Sequence, residues 1–303
     1  MNKITPRIFV VSIIFFVSLS PLTVLDVKAQ EPIYLTIKPD GSVEPETNLL
    51  EQNGTTYTFK GDIYGTIWLQ RGSLTIDGAG FSLIGRKFIN ETGLSLSGPD
   101  LSHRRCRGVL VKNLRLSNSS VYTVGGSHNS FIGNYFDRSG IHIMSSENYV
   151  GDLIEHNIFV DSTIFVDYNR YGIDVITENN FFNSHVMYGL SEEPIVDRNY
   201  WSNYLAKYPD AEELNNSGIW DTPHVDDEFE SVFSGIDYHP LVKPISGFEI
   251  ADFNIPIFIP TPSPTLIPGP EPFPTILVLT SVVIIVIVSV GLGIFAYFKK
   301  RRS

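Results

Sequence analysis

Between about residues 110 and 201, β-branched and aromatic residues alternate with polar ones in runs of three to five. No 3.6-residue period survives there, so the pattern predicts short, evenly spaced strands. One motif recurs: an apolar or acidic start, a variable residue, Asn, then large residues. It reads Val111-Lys112-Asn113-Leu114, Ile132-Gly133-Asn134-Tyr135-Phe136, Glu155-His156-Asn157-Ile158-Phe159, Glu178-Asn179-Asn180-Phe181-Phe182 and Asp197-Arg198-Asn199-Tyr200-Trp201. The anchors Asn113, Asn134, Asn157, Asn180 and Asn199 lie 21, 23, 23 and 19 positions apart. Between them a second signal returns at Gly140-Ile141, Gly172-Ile173 and Gly189-Leu190.

A period of about 22 residues made of short strands and Asn/Gly turns fits a solenoid with one coil per repeat. Coils stacked ~4.8 Å apart place equivalent residues in columns. Asn suits a turn column, because it tolerates left-handed backbone and can bond the coils above and below. One member of each pair Tyr135/Phe136, Phe181/Phe182 and Tyr200/Trp201 is expected to point inward and stack. A β-sandwich would not repeat an Asn-plus-aromatic turn four or five times.

The two ends read as addresses. Lys3 and Arg7 precede an apolar run from Ile8 to Leu19, and Val27-Lys28-Ala29 is a small-residue cleavage site. Residues 1–29 are therefore expected to be a signal peptide; the run is shorter than the roughly 20 residues that span a bilayer. No charge interrupts Thr275–Phe298, long enough to cross a ~30 Å core, and Lys299, Lys300, Arg301 and Arg302 follow. That order predicts a single span with a cytoplasmic basic tail over 299–303. Pro256–Pro274 carries eight prolines in 19 residues, which excludes helix or sheet interior and predicts a polyproline stalk. The expected order is signal, N-terminal cap (30–60), coils (61–202), C-terminal cap (203–255), stalk (256–274), span (275–298) and tail.

Charge narrows the function. The chain of 303 residues has 22 Lys+Arg against 33 Asp+Glu, net −11. Removing Lys3, Arg7, Lys28 and the four tail residues, and Asp26 from the acids, leaves 15 against 32, a net −17 outside the membrane. So acidic a surface excludes nucleic acid as partner. The single Cys excludes a disulfide framework. Sequons at Asn53, Asn90, Asn118 and Asn215 are possible glycan acceptors, though such triplets also arise by chance in Asn-rich chains.

These coils resemble the right-handed parallel β-helices of the pectin-lyase-like class, in particular the NosD-type group named for a periplasmic copper-associated protein. The stretch Ile33–Gly85 (IYLTIKPDGS…GAGFSLIG) resembles the N-terminal cap of archaeal cell-surface members. Asn199–Pro223 (NYWSNYLAKYPDAEELNNSGIWDTP) and Tyr238-His239-Pro240-Leu241 resemble the closing segment. The likeness covers about Ile33–Pro244 and implies a single-stranded, all-β solenoid on a membrane anchor. Three departures stand out: Arg86–Arg107 interrupts the first coils, only about five coils are visible, and Trp220 and His224 replace the usual Gly and Tyr.

The chemistry such a tower could carry needs named residues. A glycoside hydrolase needs two carboxylates ~5–9.5 Å apart. Asp137 and Asp161 follow successive anchors and are the candidates, with turn residues as the bland reading of both; Arg170 is the candidate proton abstractor of a lyase. The Asp and Arg-Pro motifs of the resembled class's lyases and hydrolases are absent. Glu155, Glu178 and Asp197 each sit two places before an anchor Asn, a column that a cation, Ca²⁺ by its oxygen ligands, would bridge; a slip at Asn179/Asn180 would break it. His128, His142, His156 and His185 fall at unlike offsets from the anchors, so the copper association of the resembled family finds no converging ligands. Trp201, Tyr204, Trp220 and Tyr238 form either an aromatic platform for sugars or the cap's own core. The expected function is a non-catalytic surface module for polysaccharide or envelope proteins, with a carbohydrate-active enzyme as the competing reading.

Overall fold

The computed structural model describes residues 31–85, 92–97, 106–144, 150–167, 172–189, 192–226 and 233–246. The expected signal peptide, stalk, span and tail lie outside these residues, as do Asn90 and Arg170. Among the described residues no helix is long and apolar enough to cross a membrane.

The described residues form an all-β parallel solenoid of about six coils, five of three strands and a last one of two, each strand pairing with its equivalent one coil away. A coil is typified by Ser130–Ile132, Tyr135–Asp137 and Gly140–Met144, on a first, second and third face. Three-residue strands suffice because only the middle residue points inward. The first face buries Ile76, Val111, Phe131, Ile154, Ile176 and Val196; the second buries Leu83, Leu116, Phe136, Phe159, Phe181 and Trp201. On the second face the rings stack continuously: Phe136 on Phe159 at 4.5 Å, Phe159 on Phe181 at 5.0 Å, Phe181 on Trp201 at 4.4 Å, and Trp201 on His224 of the cap at 4.3 Å. Phe136, Phe181 and Trp201 are thus the inward members of their pairs, as the alternation requires.

At the N-terminal end Ile33–Ile37 lies parallel to Gly65–Leu69, and Leu50–Asn53 folds back on Thr56–Phe59. Gly65 permits that first contact: at φ 142° it has an atom of Ile33 backbone 1.9 Å from where a Cβ would stand. The expected interruption at Arg86–Arg107 is not all loop. Thr92–Ser95 supplies the third-face strand of the first coil, pairing with both Ile67–Trp68 and Ser120–Tyr122. Its apolar content, Leu94 and Leu96, is spaced by two and buried, but it is too short for periodicity to reveal.

Most corners turn on two residues: one left-handed, as at Arg138 and His156, and the next buried and polar, as at Ser139 and Asn157. On the first corner Leu114 N–H donates to Asn134 Oδ1 (3.1 Å), Asn134 N–H to Asn157 Oδ1 (2.9 Å), Asn157 N–H to Asn179 Oδ1 (2.9 Å) and Asn179 N–H to Asn199 Oδ1 (2.9 Å). The expected ladder is corrected at two rungs. Asn179, not Asn180, is the rung, and Asn180 instead bonds Ile245 in both directions. Asn113 precedes the ladder by one residue and occupies the left-handed turn at φ 51°. The spacings 23, 22 and 20 from Asn134 are accordingly more even than those assigned from sequence.

Two further ladders went unread. Ser119, Ser139 and Ser162 N–H groups donate to Ser139, Ser162 and Ser184 Oγ at 3.0–3.1 Å. On the third corner Val109, Asn129 and Asp152 N–H groups donate to Asn129, Asp152 and Asp174 Oδ1 at 2.7–3.1 Å. All serve one need: a corner N–H turned away from the strand ladder is buried and must find an acceptor.

Cys106 belongs to the core. It is fully buried, its Sγ–H donates to Leu69 O at 3.2 Å, and burial pushes its pKa up to about 12. The thiolate fraction at pH 8 is then on the order of 10⁻⁴. The folded protein is expected to leave Cys106 unlabelled by iodoacetamide at pH 8 while the urea-unfolded chain labels fully. Mass spectrometry of the two samples checks this, and equal labelling would contradict the burial.

Candidate functional site

The catalytic candidates are tied up. Arg138 donates to both oxygens of Asp137 (Nε 3.0 Å, Nη2 2.9 Å), and Ser117 adds a third bond at 3.2 Å. This clamp, with Arg138 foremost, holds the Asp137 carboxyl below the usual carboxylate range. It is therefore ionised at neutral pH and is no general acid. Asp161 sits at a left-handed corner, φ 48°, and accepts from Asn183 Nδ2 at 2.6 Å. Asp137, at the end of its strand, and Asp161, at its corner, both make cross-coil hydrogen bonds.

The expected aromatic platform divides. Trp201 and Tyr204 are 2% exposed and Trp220 half-buried, with Tyr204 stacked on Trp220 at 5.2 Å, so these three form the cap's core. A buried ring offers a sugar no face. Tyr238 alone stands out, 57% exposed. Of the sequons, Asn53 and Asn215 are exposed and Asn118 is half-buried.

The acid column is also redrawn. The in-register outer column of the first face runs Lys112, Ile132, Glu155, Thr177, Asp197, so Thr177 separates Glu155 from Asp197. Glu178 moves to the corner because its neighbour Asn179 is the rung. There the left-handed positions of three successive coils carry His156, Glu178 and Arg198, at φ 57°, 51° and 57°. His156 Nε2 lies 2.8 Å from Glu178 Oε2, and Arg198 Nε donates to Glu178 Oε1 at 3.4 Å. Glu155 joins them: one ligand atom each from Glu155, His156 and Glu178 lie within 4.8 Å of one another. Further along the face His239 Nδ1 meets Asp197 Oδ1 at 2.6 Å.

Beside that pair the last coil and the cap enclose a groove of about 390 Å³. It is lined by the apolar Pro194, Ile195 and Ile236 and by Glu193, Asp197, Tyr238 and His239. Sequence reasoning missed His156, Arg198 and His239 as members of this face. The available signal was position: His156 and Arg198 each directly precede a ladder Asn.

Fold and site together define a parallel β-solenoid protein with an acidic, His-bearing groove at its C-terminal cap. Set against protein-family models, curated proteins and solved structures, the chain finds no match.

Proposed function

We propose that this chain is a non-catalytic binding module: a right-handed β-helix of the NosD type, displayed outside a membrane on a stalk and a single span, that holds a glycan chain in its C-terminal groove. The groove carries the reading. An exposed aromatic, Tyr238, and the apolar Pro194, Ile195 and Ile236 line it, with Glu193 and the Asp197–His239 pair as polar partners. An apolar concavity with a few convergent polar groups is the ordinary form of a small-ligand site. The clamped state of Asp137 favours binding over hydrolysis. The signal and span readings rest on hydropathy and the basic tail alone.

A glycan array on the purified protein tests the reading. Tyr238→Ala is expected to weaken the best hit about tenfold, roughly 1.4 kcal/mol, with an unchanged melting curve because the ring is largely solvated. No hit, or a hit indifferent to Tyr238→Ala, removes the groove as the site. Capture of an envelope protein in place of a glycan would redirect it. Release of reducing ends or unsaturated uronate, abolished by Asp137→Ala, would establish an enzyme instead.

A further inference from the structure

We infer that Glu155, His156 and Glu178 form a binding site for a divalent transition-metal ion of the Zn²⁺ class. The three come from two neighbouring coils: Glu155 and His156 from the end of Leu153–Glu155 and its corner, Glu178 from the corner one coil on. Parallel stacking in register is what brings the two corners together.

The geometry matches the ion. Ligands ~2.1 Å from one metal lie ~3.0–3.4 Å from each other in octahedral or tetrahedral arrangement. His156 Nε2 and Glu178 Oε2, at 2.8 Å, already stand near that separation. A Glu155 carboxylate oxygen lies within 4.8 Å of both. All three residues are half-exposed, so an ion can enter and keep water ligands.

The donor set selects the metal. Two carboxylates alone would suit Ca²⁺, the ion the acid column suggested. An imidazole replaces Asp197 as the third ligand, and imidazole suits zinc and its transition-metal neighbours. Asp197 itself is engaged by His239. Two carboxylates offset the charge of a dication. Arg198, which donates to Glu178 Oε1, competes with the ion for the same carboxylate. The site stands apart from the groove and does not depend on what the groove binds.

The full chain, purified in detergent and stripped with chelator, is titrated with Zn²⁺ alone by calorimetry. One ion per chain is expected. His156→Asn, which keeps a residue suited to the left-handed turn, and Glu178→Gln are each expected to weaken binding about tenfold or more. Asp197→Asn is expected to leave it unchanged, and Arg198→Ala to tighten it by removing the competitor. Circular dichroism melts confirm that each variant is folded. Co²⁺ substitution gives a second readout, a visible absorption band lost in His156→Asn. No Zn²⁺ heat at 100-fold excess over chain, binding indifferent to both ligand substitutions, or uptake of Ca²⁺ in preference to Zn²⁺ would each overturn the inference.

Discussion

Asn157→Leu is expected to lower stability by on the order of 4 kcal/mol, a large share of the roughly 5–15 kcal/mol that an ordinary domain has. Leu keeps the branching of Asn at Cγ but is bulkier and apolar, so overpacking adds about 1–3 kcal/mol to the lost hydrogen bonds. Asn157 is fully buried, and its Nδ2 donates to Phe131 O, Glu155 O and Asn179 Oδ1 at 2.8–3.0 Å. Its Oδ1 accepts from Asn134 N–H at 2.9 Å and Asn134 Nδ2 at 3.0 Å. The substitution strands the Asn134 N–H away from water, at ~1–3 kcal/mol, and takes a donor from Phe131 O and from Glu155 O, the latter keeping Gly133 N–H at 3.4 Å. With roughly 2–4 °C lost per kcal/mol in a chain of this size, the melting midpoint should fall by about 10 °C. Because each coil contacts only its neighbours, hydrogen exchange should rise first between residues 130 and 180. A midpoint drop under about 3 °C would show that the ladder follows the fold without holding it.

Trp201→Ala is expected to cost about as much, roughly 3–5 kcal/mol, and to act at the end of the tower. Trp201 closes the ring stack between Phe181 and His224, and its Nε1–H donates to Asp237 Oδ2 at 2.9 Å. Asp237 ends the first-corner ladder. It accepts from Asn199 N–H at 2.8 Å and Arg198 N–H at 3.1 Å, and so ties the cap to the last coil. Removal of the indole should therefore open the cap, seen as faster exchange over residues 224–241.

Trp201→Phe separates packing from polarity. It keeps a ring in the stack but withdraws one donor from a carboxylate that burial already holds above its ordinary 3.8. A carboxyl raised on folding contributes stability below that value and loses it as pH rises through the folded one. Losing the Trp201 bond raises it further. The gap between Trp201→Phe and the natural protein should thus widen as pH climbs from about 4 toward neutrality. A gap independent of pH, in parallel urea melts, would show that Asp237 is not charged in the folded cap.

The coils were legible because burial acts on every repeat alike. Ile154 and Ile176, like Phe136 and Phe159, occupy the same inward place in successive strands. Anything repeated in space is repeated in sequence. The serine ladder was equally regular but invisible as chemistry, since a serine every 20 to 23 residues does not stand out in an ordinary composition. The third ladder mixes Asn129 with Asp152 and Asp174, which interchange as acceptors but not as letters.

The acid column turned on a single ambiguous pair. Asn179 and Asn180 read alike, yet one points into the corner and the other to Ile245. Choosing the wrong one slides Glu178 by one residue. In a strand that is the difference between two faces. With the slip corrected, Glu178 leaves the column of Asp197 and joins His156.

By itself the sequence determined the class of fold, the inward aromatics and the asparagine turns, because periodic burial writes itself into residue order. Tertiary structure alone decided which outward side chains meet. His156, Glu178 and Arg198 are about 20 positions apart along the chain and become neighbours only when coils stack in register. Solvent-facing positions carry no period to betray that meeting, for no buried surface compels them to repeat.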